Sequence, residues 1–236
     1  MFSLVTWTRF CFAAFLTLAL LPLPSHAAET SDAEVQWAKQ VDKKLRDVPA
    51  FAFVKDDPKL PRVLIIGDSI SIGYTAQVRE ALQGKANVHR IPTNGGNTER
   101  GLENIDAWLG EGKWDVIHFN WGLHDLKRTK DGKMDASMPS AITPVPYDAN
   151  LRKLVARLQK TGAKLIWAST TPVPEGAAGR IPGDEIMYNT VAEGVMKDMS
   201  VPINDLHAYI LPHLKPYRAK PMSISIKRAA TILPYR

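Results

Sequence analysis

The sequence predicts an α/β fold of three layers, in which helices cover both faces of a five-stranded parallel sheet. Apolar runs of strand length alternate with helical patterns along most of the chain. The run at 62–66 stays apolar after Arg62, as expected for a strand covered on both faces. Polar or glycine-rich loops follow the predicted strands, and open parallel sheets bind ligands at that edge.

The predicted elements follow one another in a regular order. A helix over 31–46 comes first, with Ser31 as its cap and Glu34 as the capping-box partner. The predicted strands span residues 62–67, 86–92, 114–121, 163–170 and 201–206. The later predicted helices span residues 71–84, 99–112, 147–162 and 185–200. The apolar face of the helix at 147–162 consists of Leu151, Leu154, Val155 and Leu158.

Residues 1–28 have the pattern of a secretory signal peptide. Arg9 precedes an apolar run over 10–21, and small residues precede the expected cleavage after Ala27 or Ala28. The apolar run is short for a membrane span. We therefore expect a periplasmic or secreted chain with no stable membrane insertion after cleavage. A retained N-terminal segment, giving a protein of the lipid surface, is the alternative.

The remainder of the 236 residues suits one sizeable domain. We expect an N-terminal helix and connector over 29–60 and the main domain over 61–236. The only cysteine, Cys11, lies in the predicted signal, so no disulfide, cysteine nucleophile or thiolate metal site is expected in the mature chain. The formal charge of +6 comes from scattered residues without a nucleic-acid motif, so no nucleic-acid partner is expected.

Three loops at predicted strand ends carry residues suited to acyl transfer. Ser69 follows Gly67-Asp68 between a strand and a helix start, where free backbone N–H groups and the helix dipole favour negative charge. Gly96 lies in the next loop, where glycine lets the backbone approach a ligand. His124 follows the third strand. Each residue also has an ordinary interpretation. Ser69 can be a helix cap, Gly96 can belong to a common turn, and His124 can merely pack or shape the mouth of the site.

Taken together and in this order, these blocks resemble those of the SGNH (GDSL-type) hydrolases over about residues 60–215. The family's Gly-Asp-Ser is matched by residues 67–69, its Gly-Asp-Thr by Gly96-Asn97-Thr98, and its Gly-x-Asn-Asp by residues 122–125. The resemblance implies a flavodoxin-like sheet, Ser69 as the nucleophile, and oxyanion donors from the N–H groups of Ser69 and Gly96. His124 stands where the family has its asparagine donor, and an imidazole N–H can also donate.

The family's general base, a histidine in an Asp-x-x-His block near the C-terminus, has no match in this sequence. The last histidine is His213, and residues 222–236 have no helical face. With codons chosen among synonyms, the reading frame one base back from Met222 encodes Val-His-Phe-Asn-Lys-Ala-Gly, which is similar to the family's last block. We therefore interpret residues 222–236 as out of frame.

The leading hypothesis is a secreted serine esterase that forms an acyl-enzyme on Ser69 and needs no cofactor or metal. Its expected partner is a small-molecule or carbohydrate ester, with a carbohydrate O-acetyl group as one candidate, and the sequence gives no oligomeric state. The alternative is a catalytically impaired protein of the same fold that binds a saccharide or acyl ligand. The missing histidine favours that alternative.

Overall fold

The computed structural model describes residues 31–214. In this part of the chain the strands are β1 (Arg62–Ile66), β2 (Asn87–Arg90), β3 (Val116–Phe119), β4 (Thr129–Lys130), β5 (Lys133–Met134), β6 (Lys164–Ala168) and β7 (Ile203–Asn204). The α-helices are α1 (Asp32–Gln40), α2 (Ser69–Ala81), α3 (Thr98–Leu109), α4 (Pro144–Gln159), α5 (Asp184–Asp198) and α6 (Leu206–Ile210).

The predicted parallel sheet is confirmed. Its five strands lie in the order β2-β1-β3-β6-β7, and every neighbouring pair is parallel. From β1 the chain passes to β2 on one side of it and then to β3 on the other side. The topological switch point therefore lies between β1 and β3, and the carboxyl ends of β2, β1 and β3 lie side by side.

Both faces of the sheet are covered, as the apolar β1 run predicts. Leu64 and Ile66 pack in the larger core cluster with α3, α4 and α5. Val63 and Ile65 pack in a second cluster with α2 and α6. The predicted α4 face is confirmed, because its four apolar residues are all fully buried. Burying each such side chain contributes about 1.5–3 kcal/mol.

Two elements differ from the prediction. The first helix stops at Gln40 rather than continuing to residue 46, and short 3₁₀ turns follow at Lys43–Leu45 and Pro49–Phe51. No residue of α1 is buried, and the helix ends where Val41 turns to an extended conformation and packs with Ala50 and Phe51. Its anchor is Trp37, whose Nε1 donates to the Phe51 carbonyl at 2.7 Å.

The loop predicted over 122–146 contains structure of its own. Strands β4 and β5 form an antiparallel hairpin. Its two-residue turn, Asp131-Gly132, has φ of 49° and 74°, as a type I′ turn requires. The Asp-Gly pair between short strands is a sequence signal that the prediction missed. Helix α4 also begins earlier than predicted, at Pro144, where the missing proline N–H costs nothing.

The predicted signal at 1–28 and the interpreted frameshift at 222–236 both lie outside the described residues. Within 31–214, none of the helices combines the length and the apolar character needed to cross a membrane.

Candidate active site

Ser69 is the first residue of α2 and is exposed at the carboxyl end of β1. The residue before it, Asp68, caps the helix by accepting from the Ile70 N–H at 2.9 Å. Asp68 is only 4 % exposed. Among residues 31–214, nothing bonds the Ser69 hydroxyl or its N–H. Both groups therefore remain available to a ligand at a helix N-terminus that favours negative charge.

The second predicted loop lies directly against the Ser69 turn. The Gly95 N–H donates to the Gly67 carbonyl at 3.0 Å. A Cβ on Gly95 would lie 3.0 Å from that same oxygen, so a larger residue would push the two loops slightly apart. Buried Arg90 strengthens the contact, because its guanidinium donates to the carbonyls of Gly67 and Thr93 at 3.4 and 3.2 Å. Burial lowers the pKa of Arg90 to about 10.

Gly96 sits in this loop with φ of 63°, a conformation that favours glycine. Its N–H, a predicted oxyanion donor, donates to Asn94 Oδ1 at 2.9 Å. The donor is therefore satisfied inside its own loop. Binding an oxyanion at this N–H requires the Asn94 amide to move aside or to share it.

The third loop is held against the end of β6. A Cβ on Gly122 would lie 2.0 Å from Thr170 Oγ1, so only glycine fits there. The Gly122 carbonyl accepts from the N–H groups of Asp125 and Leu126, each at 2.9 Å, which closes a tight turn. His124 lies on this turn and is half-buried.

A buried carboxylate joins the second and third loops. Asp125 Oδ1 accepts from the Thr98 N–H at 2.8 Å and from the Thr98 hydroxyl at 2.6 Å. Asn150 of α4 donates to the same hydroxyl at 3.1 Å. Burial raises the pKa of Asp125 to about 7, against the opposing effect of the Thr98 bonds. Asp125 therefore links the His124 turn to the start of α3, directly after the Gly96 loop.

The His124 ring lies in a largely cationic surrounding. Burial is the main cause that lowers its pKa below 6.5, and Lys127, Arg180 and Arg100 lower it further. Asp68 opposes them and is the one carboxylate that acts on the ring. At neutral pH the imidazole is therefore uncharged, and a neutral imidazole offers one N–H donor.

A pocket opens beside Ser69, between the start of α2 and the ends of β3 and β6. It contains about 250 Å³ of empty space, its open mouth included. Its lining is Asp68, Ile70, Ser71, Tyr74, Asn120, Leu123, Ser169, Thr171 and Leu206. Asp68 and Ile70 flank Ser69 in sequence, so a group bound here lies next to the nucleophile. Across residues 31–214, no cluster of histidine and carboxylate residues suits a metal ion.

The other described histidines are engaged elsewhere. His89 contacts Asp56, and His118 is buried beside Asn204 with its pKa lowered to about 4 by burial. His207 lies 3.5 Å from the buried Glu185, and His213 contacts the Tyr209 carbonyl. None of them bonds Ser69 within the described part of the chain. The structure therefore assigns the predicted general-base role to no histidine of residues 31–214.

Ser69, Gly96 and His124 are predicted from the sequence to lie at one sheet edge, and the structure places their loops together. Asp125 and Arg90, which fix those loops, were not predicted as site residues. Asp125 is the fourth residue of the third block, and that position was a signal for it. Arg90 gave a weaker signal, since a charged residue within an apolar strand must find partners when buried.

Known proteins were compared with this chain in sequence and in structure. No protein-family model matches the chain, and no curated protein does. A solved acetyl xylan esterase, AlAXEase, matches with a TM-score of 0.58 at 16% identity, over 72% of this chain and 96% of its own. The chain has the SGNH hydrolase fold.

Further solved structures share the SGNH fold. The acetylxylan esterase Axe2 from Geobacillus stearothermophilus has a TM-score of 0.54 at 18% identity, over 66% of this chain and 82% of its own. A lipase/acylhydrolase from Enterococcus faecalis has a TM-score of 0.54 at 19% identity, over 64% of this chain and 79% of its own. At these identities the likeness establishes the fold, and the reaction has to be argued from the site.

Proposed function

We propose that the chain is a secreted serine ester hydrolase that forms an acyl-enzyme on Ser69. The observation that carries the proposal is the union of three loops at one sheet edge. The exposed Ser69 hydroxyl lies at a helix start, the Gly96 loop is bonded to its turn through Gly67, and the His124 turn is bonded to the Gly96 loop through Asp125. A nucleophile beside backbone and imidazole donors is the arrangement that acyl transfer needs.

The proposed reaction has two steps, acylation of Ser69 and hydrolysis of the acyl-enzyme. Ser69 Oγ bonds to the ester carbonyl carbon. The negative charge on the carbonyl oxygen is stabilised by the Ser69 N–H, by the His124 imidazole N–H and, once the Asn94 amide releases or shares it, by the Gly96 N–H. The bond to the alcohol then breaks, and the alcohol leaves with the serine proton. Water attacks the acyl-enzyme in the second step, releasing the acid and returning a proton to Ser69 Oγ.

The pocket beside Ser69 supports a short acyl group. Its lining includes the apolar side chains of Ile70, Leu123 and Leu206, which can contact a small apolar acyl group. Two of the solved structures with this fold carry the description acetylxylan esterase. We therefore propose an acetyl ester, carried on a saccharide, as the substrate class.

The test is Ser69-dependent hydrolysis of p-nitrophenyl acetate. The full chain should hydrolyse it, and Ser69→Ala should lower kcat by at least about 100-fold, because the covalent intermediate cannot form. Ser137→Ala is the matched control, since Ser137 is an exposed serine of the loop before α4. Mass spectrometry of the quenched reaction should find one acetyl group on Ser69. Equal rates for the chain and Ser69→Ala would refute the proposal.

The alternative, a binding protein of the same fold, is favoured by one observation. No residue within 31–214 accepts a hydrogen bond from Ser69 Oγ, so the described part of the chain does not activate the nucleophile. This alternative predicts that the chain binds acetylated xylo-oligosaccharide without releasing acetate, and that Ser69→Ala binds equally well. Calorimetry combined with an acetate assay separates the two functions.

A further inference from the structure

Two arginines, Arg100 and Arg180, lie at the rim of the site without a carboxylate in ion-pair contact among residues 31–214. Arg180 Nε donates to the Leu123 carbonyl at 2.8 Å, and Arg100 Nε donates to the Asn94 carbonyl at 3.2 Å. Neither arginine forms an ion pair with a residue of 31–214. Backbone carbonyls thus fix the Nε of each guanidinium. Arg100 Nη2 also donates to the Thr93 hydroxyl at 3.3 Å, so the nitrogens without a described partner are Arg100 Nη1 and both terminal nitrogens of Arg180.

Four other arginines of the described chain are paired with acids, whereas Arg46, Arg79 and Arg90 bond backbone carbonyls away from the proposed substrate position. Arg62, Arg128, Arg152 and Arg157 each contact an aspartate. Arg100 is exposed and Arg180 half-buried, so both can reach a ligand. An arginine held in place without an acid partner is suited to a planar anion, which it can bind through two parallel hydrogen bonds.

Both arginines lie over the proposed oxyanion-binding loops. A Cβ on Gly96 would be 2.6 Å from Arg100 Cδ, so the Arg100 stem covers Gly96 directly. Arg180 binds the carbonyl of the residue before His124. Lys127 adds a third positive charge that acts on the His124 ring, and the one opposing acid, Asp68, is buried. The rim around the proposed oxyanion site is therefore positively charged.

We infer that the ester substrate carries a carboxylate on its alcohol part, bound by Arg180 and Arg100 next to the ester that Ser69 attacks. A saccharide ester whose sugar is a uronic acid has this chemistry. The inference rests on the proposed function and deepens it by naming the charge of the substrate. The positive rim also favours the oxyanion electrostatically, but that effect is shared by neutral and anionic esters. A preference for the anionic ester over the neutral one therefore measures carboxylate binding by the arginines, separately from their effect on the oxyanion.

The first experiment compares two acetyl esters that differ in charge, 4-acetoxybenzoate and 4-acetoxybenzamide. The ratio of their kcat/KM values is measured for the full chain and its variants, so that intrinsic reactivity cancels. Arg180→Gln and Arg100→Gln should each lower the ratio about 10-fold, the usual effect of losing a hydrogen bond to a charged group. Arg180→Lys should lose less, and Arg157→Gln, at a distant ion pair, should lose nothing. Added salt should lower the ratio.

The second experiment needs no catalysis. Ser69→Ala is titrated with 4-hydroxybenzoate and 4-hydroxybenzamide, the alcohol products of the two esters. The carboxylate should bind at least about 10-fold more tightly, and Arg180→Gln in the Ser69→Ala background should remove the difference. Equal binding of the two products, or a ratio unchanged by both arginine variants, would overturn the inference.

The two proposals fail in distinguishable ways. Ser69-dependent hydrolysis with no preference for the carboxylate removes the anionic substrate and keeps the esterase. Carboxylate binding without Ser69-dependent hydrolysis removes the esterase and keeps the anion site of a binding protein. Thermal unfolding of each arginine variant confirms that the fold is retained.

Discussion

At the scale of single residues, Asp125 is the most consequential group that does not contact solvent. It is fully buried, and its Oδ2 has no hydrogen-bond partner among the described residues. Its other oxygen holds Thr98 at the start of α3. A carboxylate in this position is costly when ionised, because burial removes its hydration. The chain accepts that cost because the same side chain fixes the Gly96 and His124 loops relative to each other.

The raised pKa of Asp125 makes stability depend on pH in a definite direction. The folded state holds the proton up to about pH 7, whereas the unfolded chain loses it near the ordinary value of 3.8. The unfolded state therefore binds fewer protons in this window, and stability falls as pH rises through it. The loss is complete above about pH 7 and is on the order of 4 kcal/mol.

Asp125→Asn should remove this loss. The asparagine Oδ1 can accept both Thr98 bonds, and the amide stays neutral at every pH. We expect the variant to be at least about 1 kcal/mol more stable than the parent at pH 8.5 and within about 0.5 kcal/mol of it at pH 5. Urea unfolding at the two pH values measures both differences. Asp32→Asn, at the exposed start of α1, is the control. A destabilised Asp125→Asn at pH 8.5 would contradict this account.

At the scale of elements, several loops at the sheet edge contain glycines at positions where a side chain would collide with a neighbour. Helix α3 contains such a glycine as well. Gly101 of α3 lies against Trp121, which is 1 % exposed and directly precedes the His124 turn. A Cβ on Gly101 would approach the indole ring to 2.9 Å. Gly194 of α5 has open space instead, with no atom within 4 Å of such a Cβ.

These two helical glycines should respond to alanine with opposite signs. Gly194→Ala should stabilise the chain by about 0.5–1 kcal/mol, because alanine is the better helix former and nothing obstructs it. Gly101→Ala should destabilise by about 1–3 kcal/mol, since Trp121 must shift in a closed core. Urea unfolding midpoints of the two variants, compared at an unchanged m-value, measure both changes in stability. Equal stabilisation by both substitutions would show that the Trp121 contact is unimportant.

The sheet and the strand-end loops were predictable because they depend on local patterns. Hydrophobic runs and turn residues indicate where β1, β3 and β6 lie, and topology then brings their ends together. The partners that fix the loops depend on contacts between residues far apart in sequence, such as Thr98 with Asp125 and Gly122 with Thr170. No periodicity encodes these contacts. The engagement of the Gly96 N–H by Asn94 was also beyond the sequence, because it depends on one side-chain conformation.

At the scale of the whole molecule, the described residues bring the three predicted loops to one sheet edge, and no described residue accepts a hydrogen bond from Ser69 Oγ. Ser69, the Gly96 loop and the His124 turn meet, while the remaining described histidines have other contacts. An oxyanion site and substrate binding alone still give catalysis of roughly a thousandfold over water. A base positioned at Ser69 multiplies that rate further. For the proposed esterase, the rate therefore depends on whether residues beyond 214 supply that base.

The interpretation of residues 222–236 as out of frame gives the last prediction. A fresh nucleotide read from codon 210 onward should contain, one base back from the Met222 codon, an open frame encoding Val-His-Phe and a following glycine. The chain carrying that alternative tail should hydrolyse p-nitrophenyl acetate at least about 100-fold faster than the chain as written, because its histidine takes the Ser69 proton. Replacing that histidine with alanine should reverse the gain. If the other frame closes at once, the interpretation is wrong, and the rate of the chain as written is that of Ser69 and its oxyanion donors alone.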